Sequence, residues 1–269
     1  MSDGREFSEV RNASLASLRE RVTRISEPEG AAFLLQALRE DPRRGAGDLA
    51  RLLERRLARE RAEAERLRGL FALRDRLRAD GVLHVAGVDE VGVGPLAGPV
   101  VAAAVVLPDG AALPGLDDSK RLSPRQREAL DVEIRRQALA FAVAEATAEE
   151  IDRSNVLQAS LLAMRRAVLA LSVAPDHVLV DARTIPGIVA PQTAIVGGDG
   201  LDASIAAASV VAKVHRDGLM RVFDTRYPGY GFARHKGYPT PPHLDALRRL
   251  GPCPLHRRSY APVAQLEIS

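Results

Sequence analysis

Four acidic residues of this sequence stand at or just after the ends of predicted β-strands, where sites gather in open α/β sheets. Asp89 and Glu90 follow the apolar run 82–88, Asp181 follows a second such run, and Asp199 follows a third. Crowded carboxylates repel one another, and bound divalent cations remove that repulsion. Oxygen ligands with room left for water favour Mg²⁺ or Mn²⁺, and two such ions support in-line hydrolysis of a phosphodiester.

Each of these acidic residues also has an ordinary structural interpretation. Asp181 could belong to a salt-bridged surface turn, and Asp199, which precedes a glycine, suits a tight turn. Adjacent residues on a regular strand point to opposite faces of the sheet. Asp89 and Glu90 would therefore share one site only if the strand breaks there, which the glycines that follow would make easy. Spacing alone leaves open whether the three regions meet in space.

A glycine- and proline-rich segment, GVGPLAG (92–98), follows the first pair of acids. It is not a phosphate-binding P-loop, because no Gly-Lys-Ser/Thr sequence follows it. It is either a simple tight turn or a turn whose backbone amides closely approach a phosphate or a sugar. A second apolar, β-branched run begins at Pro99, so the segment joins two predicted strands.

The formal net charge of +3 is unevenly distributed along the 269 residues. Residues 213–258 carry 10 lysines or arginines and 3 acidic residues, whereas residues 1–80 carry 18 arginines and 15 acidic residues. The rest of the chain is therefore acidic. An acidic region that binds cations, next to a basic region that binds a polyanion, would suit a polyanionic ligand held against those cations. Ordinary scatter of charges on solvated faces explains the same numbers equally well.

Other features restrict the class of protein. No apolar stretch reaches the roughly 18 residues that span a bilayer, and the first ten residues lack the apolar core of a secretory signal. Cys253 is the single cysteine, so it cannot form a disulfide within the chain, and the six histidines lack the paired spacing of zinc ligands. We therefore expect a cytoplasmic protein with no membrane segment.

The apolar periodicity changes at Asp80-Gly81, which we take as a domain boundary. Before it, leucines recur at spacings near 3.6 and predict helices, with no strand pattern. After it, strands in succession and then strands alternating with helices predict a mixed α/β sheet. The predicted helices are 31–40, 48–79, 123–138, 148–170, 201–224 and 242–250, and the predicted strands are 82–88, 99–107, 141–146, 177–180 and 192–196.

Several motifs resemble those of bacterial ribonuclease HII, a type 2 ribonuclease H, and they follow in the order of that family. Together they cover residues 82–263, which makes the resemblance far more specific than one short pattern. They are AGVDEVGVGPLAGPVVAAAVVLP (86–108), DDSKRLSPRQREAL (117–130), NVLQASLLAMRRAV (155–168), VLVDA (178–182), GGDGLDASIAAASVVAKVHRD (197–217), YGFARHKGYPTPPHLDAL (230–247) and GPCPLHRRSYAPV (251–263).

The resemblance implies a ribonuclease H-like mixed β-sheet flanked by helices, with a helical extension at 1–80, a catalytic core at 81–225 and a basic, partly helical substrate-binding segment at 226–269. Residues 38–56 resemble the helical extension of some bacterial members, although a hairpin packed on the core or serving a partner explains them equally well. The implied activity is a monomeric endonuclease that cuts RNA in RNA–DNA hybrids. It would incise 5′ to ribonucleotides embedded in duplex DNA and leave a 3′-hydroxyl and a 5′-phosphate.

The resemblance also implies roles for individual residues. Tyr238 matches the tyrosine that packs on the sugar next to the ribonucleotide, with a core tyrosine near a turn as the alternative. Lys120, Lys213 and Arg216 could contact phosphates, and a surface salt bridge is as good an explanation for each. The carboxylates that match the family's ligands for two Mg²⁺ or Mn²⁺ ions are Asp89, Glu90, Asp181 and Asp199.

Two positions depart from the family pattern. The turn has the sequence Gly92-Val93-Gly94, where the family has an arginine between two glycines. In the family, the backbone of this turn recognises the 2′-hydroxyl. Gly198 stands where a lysine commonly precedes the fourth aspartate. The loss of a phosphate contact should weaken binding and reduce its salt dependence. The departures leave two alternatives open, a hybrid-binding protein with little catalysis and a related nuclease with relaxed junction specificity.

Overall fold

The computed structural model of the protein describes residue 10 and residues 12–267. The chain forms two compact units, Met1–Arg66 and Leu67–Ser269, and each has an apolar core of its own. Within the described residues, no helix is both long enough and apolar enough to cross a membrane.

The first unit is built from helices. They are α1 (Leu15–Arg24), α2 (Pro28–Glu40) and α3 (Arg44–Ala79), of which α3 continues into the second unit. Leu34 and Leu38 of α2 are fully buried in the core of this unit, which confirms the helical periodicity. Both predicted helices begin earlier than expected, and in α2 the reason is that a proline suits the first turn of a helix.

A five-stranded mixed sheet forms the centre of the second unit, with the strand order β3-β2-β1-β4-β5. β1 pairs antiparallel with β2 and parallel with β4, so the chain's first and fourth strands lie side by side. This confirms the predicted mixed α/β sheet and all five predicted strands. The strands are β1 (Val85–Val91), β2 (Val100–Val106), β3 (Ala140–Ala146), β4 (His177–Asp181) and β5 (Gln192–Ile195).

Helices cover both faces of the sheet. On one face, α7 crosses β1 so closely that a Cβ on Gly87 would lie 2.0 Å from the backbone carbon of Ser204, so this position requires glycine. On the other face, α6 packs against β2 and β3 through small side chains such as Ala159 and Ala163. The helices of this unit are α4 (Pro124–Gln137), α5 (Ala148–Arg153), α6 (Val156–Leu169), α7 (Ala203–Arg226), α8 (Phe232–His235), α9 (Pro241–Leu250) and α10 (Ala261–Glu267).

The first strand does not break at its acidic residues, so the condition for Asp89 and Glu90 to face the same side of the sheet is not met. β1 keeps a regular antiparallel register with β2 through Val91, and it pairs Asp89 with Ala103 on the way. The chain turns only at Gly92, whose φ of 91° lies in the left-handed region that favours glycine. Asp89 and Glu90 therefore point to opposite faces of the sheet, as adjacent residues on a regular strand must.

Candidate active site

Three of the four predicted carboxylates lie at the same end of two neighbouring strands. Asp89 and Glu90 are near the end of β1, and Asp181 ends β4, the parallel neighbour of β1. Ser209 of α7 lies near Asp89, whereas Ser160 of α6 lies near Glu90, as the opposite directions of the two acids require. The sheet topology thus brings these acids together at one edge, with one on each face of β1.

Burial and mutual repulsion make this group electrostatically unfavourable as a set of free carboxylates. Burial raises the pKa of Asp89 well above its usual range, and the charges of Glu90 and Asp181 raise it further. Burial also raises the pKa of Glu90, Asp181 adds to that rise, and Arg183 opposes it. Glu90 Oε2 is buried without a hydrogen-bond partner in the described part of the chain. Arg183 offsets only part of this effect, because the pKa of Glu90 is still raised.

A backbone hydrogen bond joins the turn that carries Asp199, the fourth carboxylate, to this edge of the sheet. Asp181 Oδ1 accepts a hydrogen bond of 2.8 Å from the N–H of Gly198, in the short 3₁₀ turn that carries Asp199. Ala182, directly after Asp181, has a φ of 54°, a strained conformation for a residue with a side chain. Asp199 is buried, and its Oδ2 lies 3.0 Å from Lys120 Nζ.

The donors at this edge fit a divalent cation. Among residues 10 and 12–267, no three acidic, histidine or cysteine side chains are already arranged as a metal-binding group. The carboxylates nevertheless supply only oxygen ligands, Glu90 Oε2 has no partner, and a nearby positive ion would offset the raised pKa of Asp89. Divalent metal use is therefore consistent with the residues present.

The glycine-rich turn (residues 92–98) leads directly away from the acids on β1, and it lies beside Tyr238. A Cβ placed on Gly94 would be 3.8 Å from Tyr238 Cε1, so the aromatic ring borders the turn. The N–H of Leu96 donates a hydrogen bond of 2.8 Å to the carbonyl of Gly237, which fixes the two segments to each other. Tyr238 is 40% exposed, so its ring is available to a ligand rather than enclosed in a core.

Buried histidines support the segment that carries Tyr238. His243 Nδ1 lies 2.8 Å from the Tyr238 carbonyl, and its Nε2 lies 3.2 Å from His256 Nε2. The N–H of Cys253 donates to His256 Nδ1, so the proton of His256 is on Nε2 and that of His243 is on Nδ1. Burial lowers the pKa of both histidines to about 4, which keeps them neutral near pH 7. His235 stacks on His243 with ring centroids 4.3 Å apart.

The predicted basic residues occupy three different environments. Lys120 pairs with Asp199, and Lys213 Nζ lies 2.8 Å from the carboxylate of Asp217, so both form ion pairs within the protein. Arg216 is 0% exposed, and its guanidinium donates hydrogen bonds to backbone carbonyls only. Its burial contradicts the expectation that Arg216 touches a phosphate directly. The small residues of α7 place this side chain inside the fold, beneath the turn.

Sequence reasoning missed one residue that contacts the turn even more extensively. Arg257 is 0% exposed and binds carbonyls of the glycine-rich turn, yet it precedes the exposed Arg258 in an Arg-Arg pair that gives no sign of the difference. Only the motif GPCPLHRRSYAPV, in which both lie, could have drawn attention to it. Other basic residues of the basic region 213–258 are exposed: Arg221, Arg226, Arg234, Arg248, Arg249 and Arg258.

Comparison with known proteins agrees with this arrangement. The family model described as Ribonuclease HII matches residues 86–263, which include every predicted site residue. A curated Ribonuclease HII from Myxococcus xanthus is 57% identical over 233 residues, which cover 86% of this chain and 80% of the relative. That alignment is longer than the second unit, so the similarity extends into the helical first unit.

Solved structures resemble much of this chain in fold. The ribonuclease H2 from Pyrococcus horikoshii OT3 has a TM-score of 0.60 and 26% identity, and the match covers 69% of this chain and 97% of that one. Bst-RNase HIII in complex with Mn²⁺ has a TM-score of 0.53 at 18% identity, and the match covers 70% of both chains. The second likeness concerns the fold alone.

Proposed function

The chain belongs to the ribonuclease HII family, and from this premise we propose that it is an endonuclease which hydrolyses RNA in RNA–DNA hybrids. It incises on the 5′ side of a ribonucleotide embedded in duplex DNA and leaves a 3′-hydroxyl and a 5′-phosphate. The observation that supports this most directly is the group of carboxylates Asp89, Glu90 and Asp181 at one end of β1 and β4, where burial and mutual repulsion raise the pKa of Asp89 and of Glu90.

Asp89, Glu90, Asp181 and Asp199 would hold two divalent ions, Mg²⁺ or Mn²⁺. When bound, such ions activate water and neutralise charge at the scissile phosphate. The opposite directions of Asp89 and Glu90 favour two separate ions over one shared ion. The chain itself orients the ligands, since the N–H of Gly198 holds one oxygen of Asp181 and leaves the other available.

Substrate selection would take place between the turn and the aromatic ring. The ring of Tyr238 offers a flat apolar surface to a sugar, and the backbone amides near Gly92, Val93 and Gly94 offer donors to a 2′-hydroxyl. Lys120 and Lys213 would contact phosphates after exchanging their present carboxylate partners for them. Attack by water in line with the 3′ oxygen then completes the hydrolysis.

The remaining parts of the chain would extend the contact with the duplex. The exposed arginines of residues 226–269 would grip its backbone, and the basic helical extension, residues 1–80, would add further contacts. We propose that the protein acts as a monomer in the cytoplasm. Light scattering with and without a hybrid duplex tests the monomer, since a dimer would show twice the protein mass.

Asp89→Asn tests the assignment of the site. Because the variant removes a ligand and a charge but little volume, cleavage should fall by about 1000-fold while the Kd for a hybrid changes by less than about threefold. Asp176→Asn is the matched control, since Asp176 is exposed and lies just before the opposite end of β4. Cleavage by Asp89→Asn at the wild-type rate with Mg²⁺ or Mn²⁺ would refute the assignment.

A second candidate function is a hybrid-binding protein with weak catalysis or a nuclease with relaxed junction specificity. The observation that favours it is Val93, which is 38% exposed at the turn and offers no positive charge to a phosphate. The discriminating measurement compares cleavage of a duplex with one ribonucleotide against cleavage of a long RNA–DNA hybrid. Equal rates on both substrates favour relaxed specificity, and absent turnover with tight binding favours the binding protein.

A further inference from the structure

Two buried arginines beneath the glycine-rich turn have no acidic partner. Arg216 and Arg257, the arginine pair, are both 0% exposed. In the described part of the chain, neither forms an ion pair with a carboxylate, and their hydrogen bonds go to backbone carbonyls and the hydroxyl of Tyr260. Buried charges are normally paired, because desolvation costs several kcal/mol for each ion. Two unpaired positive charges at one place therefore need an explanation.

The guanidiniums of the arginine pair bind four carbonyls of the turn and the carbonyl of Pro99, which follows it. Arg257 donates to Val93 at 2.7 Å and to Gly98 at 2.9 Å, and it also donates to the Gly92 carbonyl. Arg216 donates to the carbonyls of Ala97 at 3.2 Å and of Pro99 at 3.0 Å. The planar guanidinium, with five donors in a fixed geometry, allows each side chain to bind several carbonyls at once.

The opposite side of the turn backbone remains available. With the carbonyls of the turn directed inward, the N–H groups of Val93 and Gly94 have no acceptor among the described residues. A Cβ on Gly92 would lie 2.2 Å from Arg216 Nε, so glycine permits the guanidinium to approach this closely. Side chains inside the fold therefore hold carbonyls of the turn, and Tyr238 borders the turn at Gly94.

The arginine pair also connects the turn to the segment that carries Tyr238. Arg216 Nη1 donates a hydrogen bond of 3.0 Å to the carbonyl of Lys236, two residues before Tyr238. The same guanidinium binds Ala97 of the turn, so one rigid group holds both segments. The distance between the free amides and the tyrosine ring depends on this side chain.

Both guanidiniums remain charged at neutral pH. Burial, with a further contribution from the charge of Arg257, lowers the pKa of Arg216 to about 10, still above the physiological range. Burial also lowers the pKa of Arg257. The turn therefore covers two positive charges, and low-polarity surroundings extend their attraction for an anion outside. A phosphate at the turn would supply the missing negative charge.

We propose that Arg216 and Arg257 are specificity-determining positioning residues, which orient the free amides of the turn toward the ribose and attract its phosphate from inside the fold. This rests on the proposed function, because the ligand is the ribonucleotide junction. A turn with Val93 in its centre would then be selective without an arginine side chain of its own, since the positive charge comes from beneath the backbone.

The test measures binding, so that it does not depend on catalysis. The probes are a DNA duplex with one ribonucleotide and the same duplex made only of DNA, each titrated with Ca²⁺ in place of Mg²⁺. Arg257→Lys keeps the charge but loses the fork that binds several carbonyls, and the preference for the ribonucleotide should fall by about tenfold. Arg257→Gln should also make the Kd less dependent on salt. Arg153→Met, which removes an exposed arginine of α5, is the control and should leave both properties unchanged.

An equal loss of affinity for both duplexes in a folded Arg257→Lys variant would overturn the proposal, as would an unchanged preference. Val93→Arg tests the charge without altering the core, should the buried variants not fold. Because the arginine pair already supplies charge, Val93→Arg should raise the affinity for the junction by less than about threefold, and a larger increase would also overturn it. A wild type that prefers the ribonucleotide without cleaving it would refute the proposed function but support the arginine pair.

Discussion

The histidine pair that supports Tyr238 should contribute to the way the stability of the protein depends on pH. Burial lowers the pKa of His243 and His256 to about 4, from an ordinary value of 6.5. As the pH falls below 6.5, the unfolded chain therefore binds protons before the folded chain does. The stability that depends on this pair is fully present above about pH 7, and it is lost progressively as the pH falls toward 4.

The size of this effect follows from the pKa difference. A difference of about 2.5 pKa units corresponds to roughly 3 kcal/mol for each histidine once the pH is below 4. At pH 5 roughly 2 kcal/mol of that has been lost for each histidine. Small domains are stable by only about 5–15 kcal/mol, so the pair should dominate acid unfolding of the region around Tyr238.

His243→Asn isolates one half of the effect. The amide nitrogen of asparagine takes the position of Nδ1 and keeps the hydrogen bond to the Tyr238 carbonyl, but it does not titrate. Urea unfolding at pH 7.5 and pH 5 should give a loss of stability about 2 kcal/mol smaller for the variant than for the wild type. Equal losses in the two proteins would refute the reasoning.

His243→Gln serves as the matched comparison. Its side chain reaches the position of Nε2 and keeps the contact with His256, but it leaves the Tyr238 carbonyl without its donor. Its pH dependence should equal that of His243→Asn, while its stability at pH 7.5 should be lower by about 1 kcal/mol. Junction cleavage should also be slower, because the aromatic ring is less firmly held.

Three further substitutions give separate tests. Burial raises the pKa of Asp202 to about 6, and Asp202→Asn keeps the N-cap of α7. At pH 7.5 the variant should be more stable than the wild type by up to about 3 kcal/mol of unfolding free energy. About half of that difference should be lost by pH 5, and urea titrations at the two pH values would measure it. Gly87→Ala should destabilise by about 3 kcal/mol or prevent folding, because its Cβ meets the backbone of Ser204, and thermal unfolding would reveal this. Gly198→Lys should cost about 1 kcal/mol, since Ile205 Cδ1 must move from 2.6 Å, and should lower the KM for a junction duplex.

The sequence predicted the parts of the fold that depend on local pattern. Five apolar runs became the five strands, and the mixed sheet followed from their succession. The carboxylates were identified because strand ends are visible in a sequence, and family motifs joined Asp89 to Asp181. Nothing local indicated that β1 continues to Val91, since the register of β2 determines it.

The supports of the site were not predictable in the same way. Arg257 and Gly92 are 165 residues apart, and neither periodicity nor charge relates them. An arginine beside a second arginine is an ordinary exposed feature in a sequence, and only the fold distinguishes the buried one. The histidine pair was equally hidden, because the two rings lie 13 residues apart on different elements and meet through tertiary packing.

The carboxylates of β1 and the arginine pair carry opposite charges and are kept apart, although each would neutralise the other. The carboxylates on β1 lack positive partners, the arginine pair beneath the turn lacks negative ones, and no ion pair joins the two groups among the described residues. A direct pair between Asp89 and Arg216 would relieve both desolvation costs. It would also leave no negative charge to bind cations and no positive charge to attract a phosphate. The carbonyls of Ala97, Pro99 and Lys236 already accept hydrogen bonds from the guanidinium of Arg216, which is therefore not paired with Asp89. The carboxylates of β1 therefore lack positive partners, and the arginine pair lacks a negative one. Bound cations would supply the first, and the phosphodiester would supply the second.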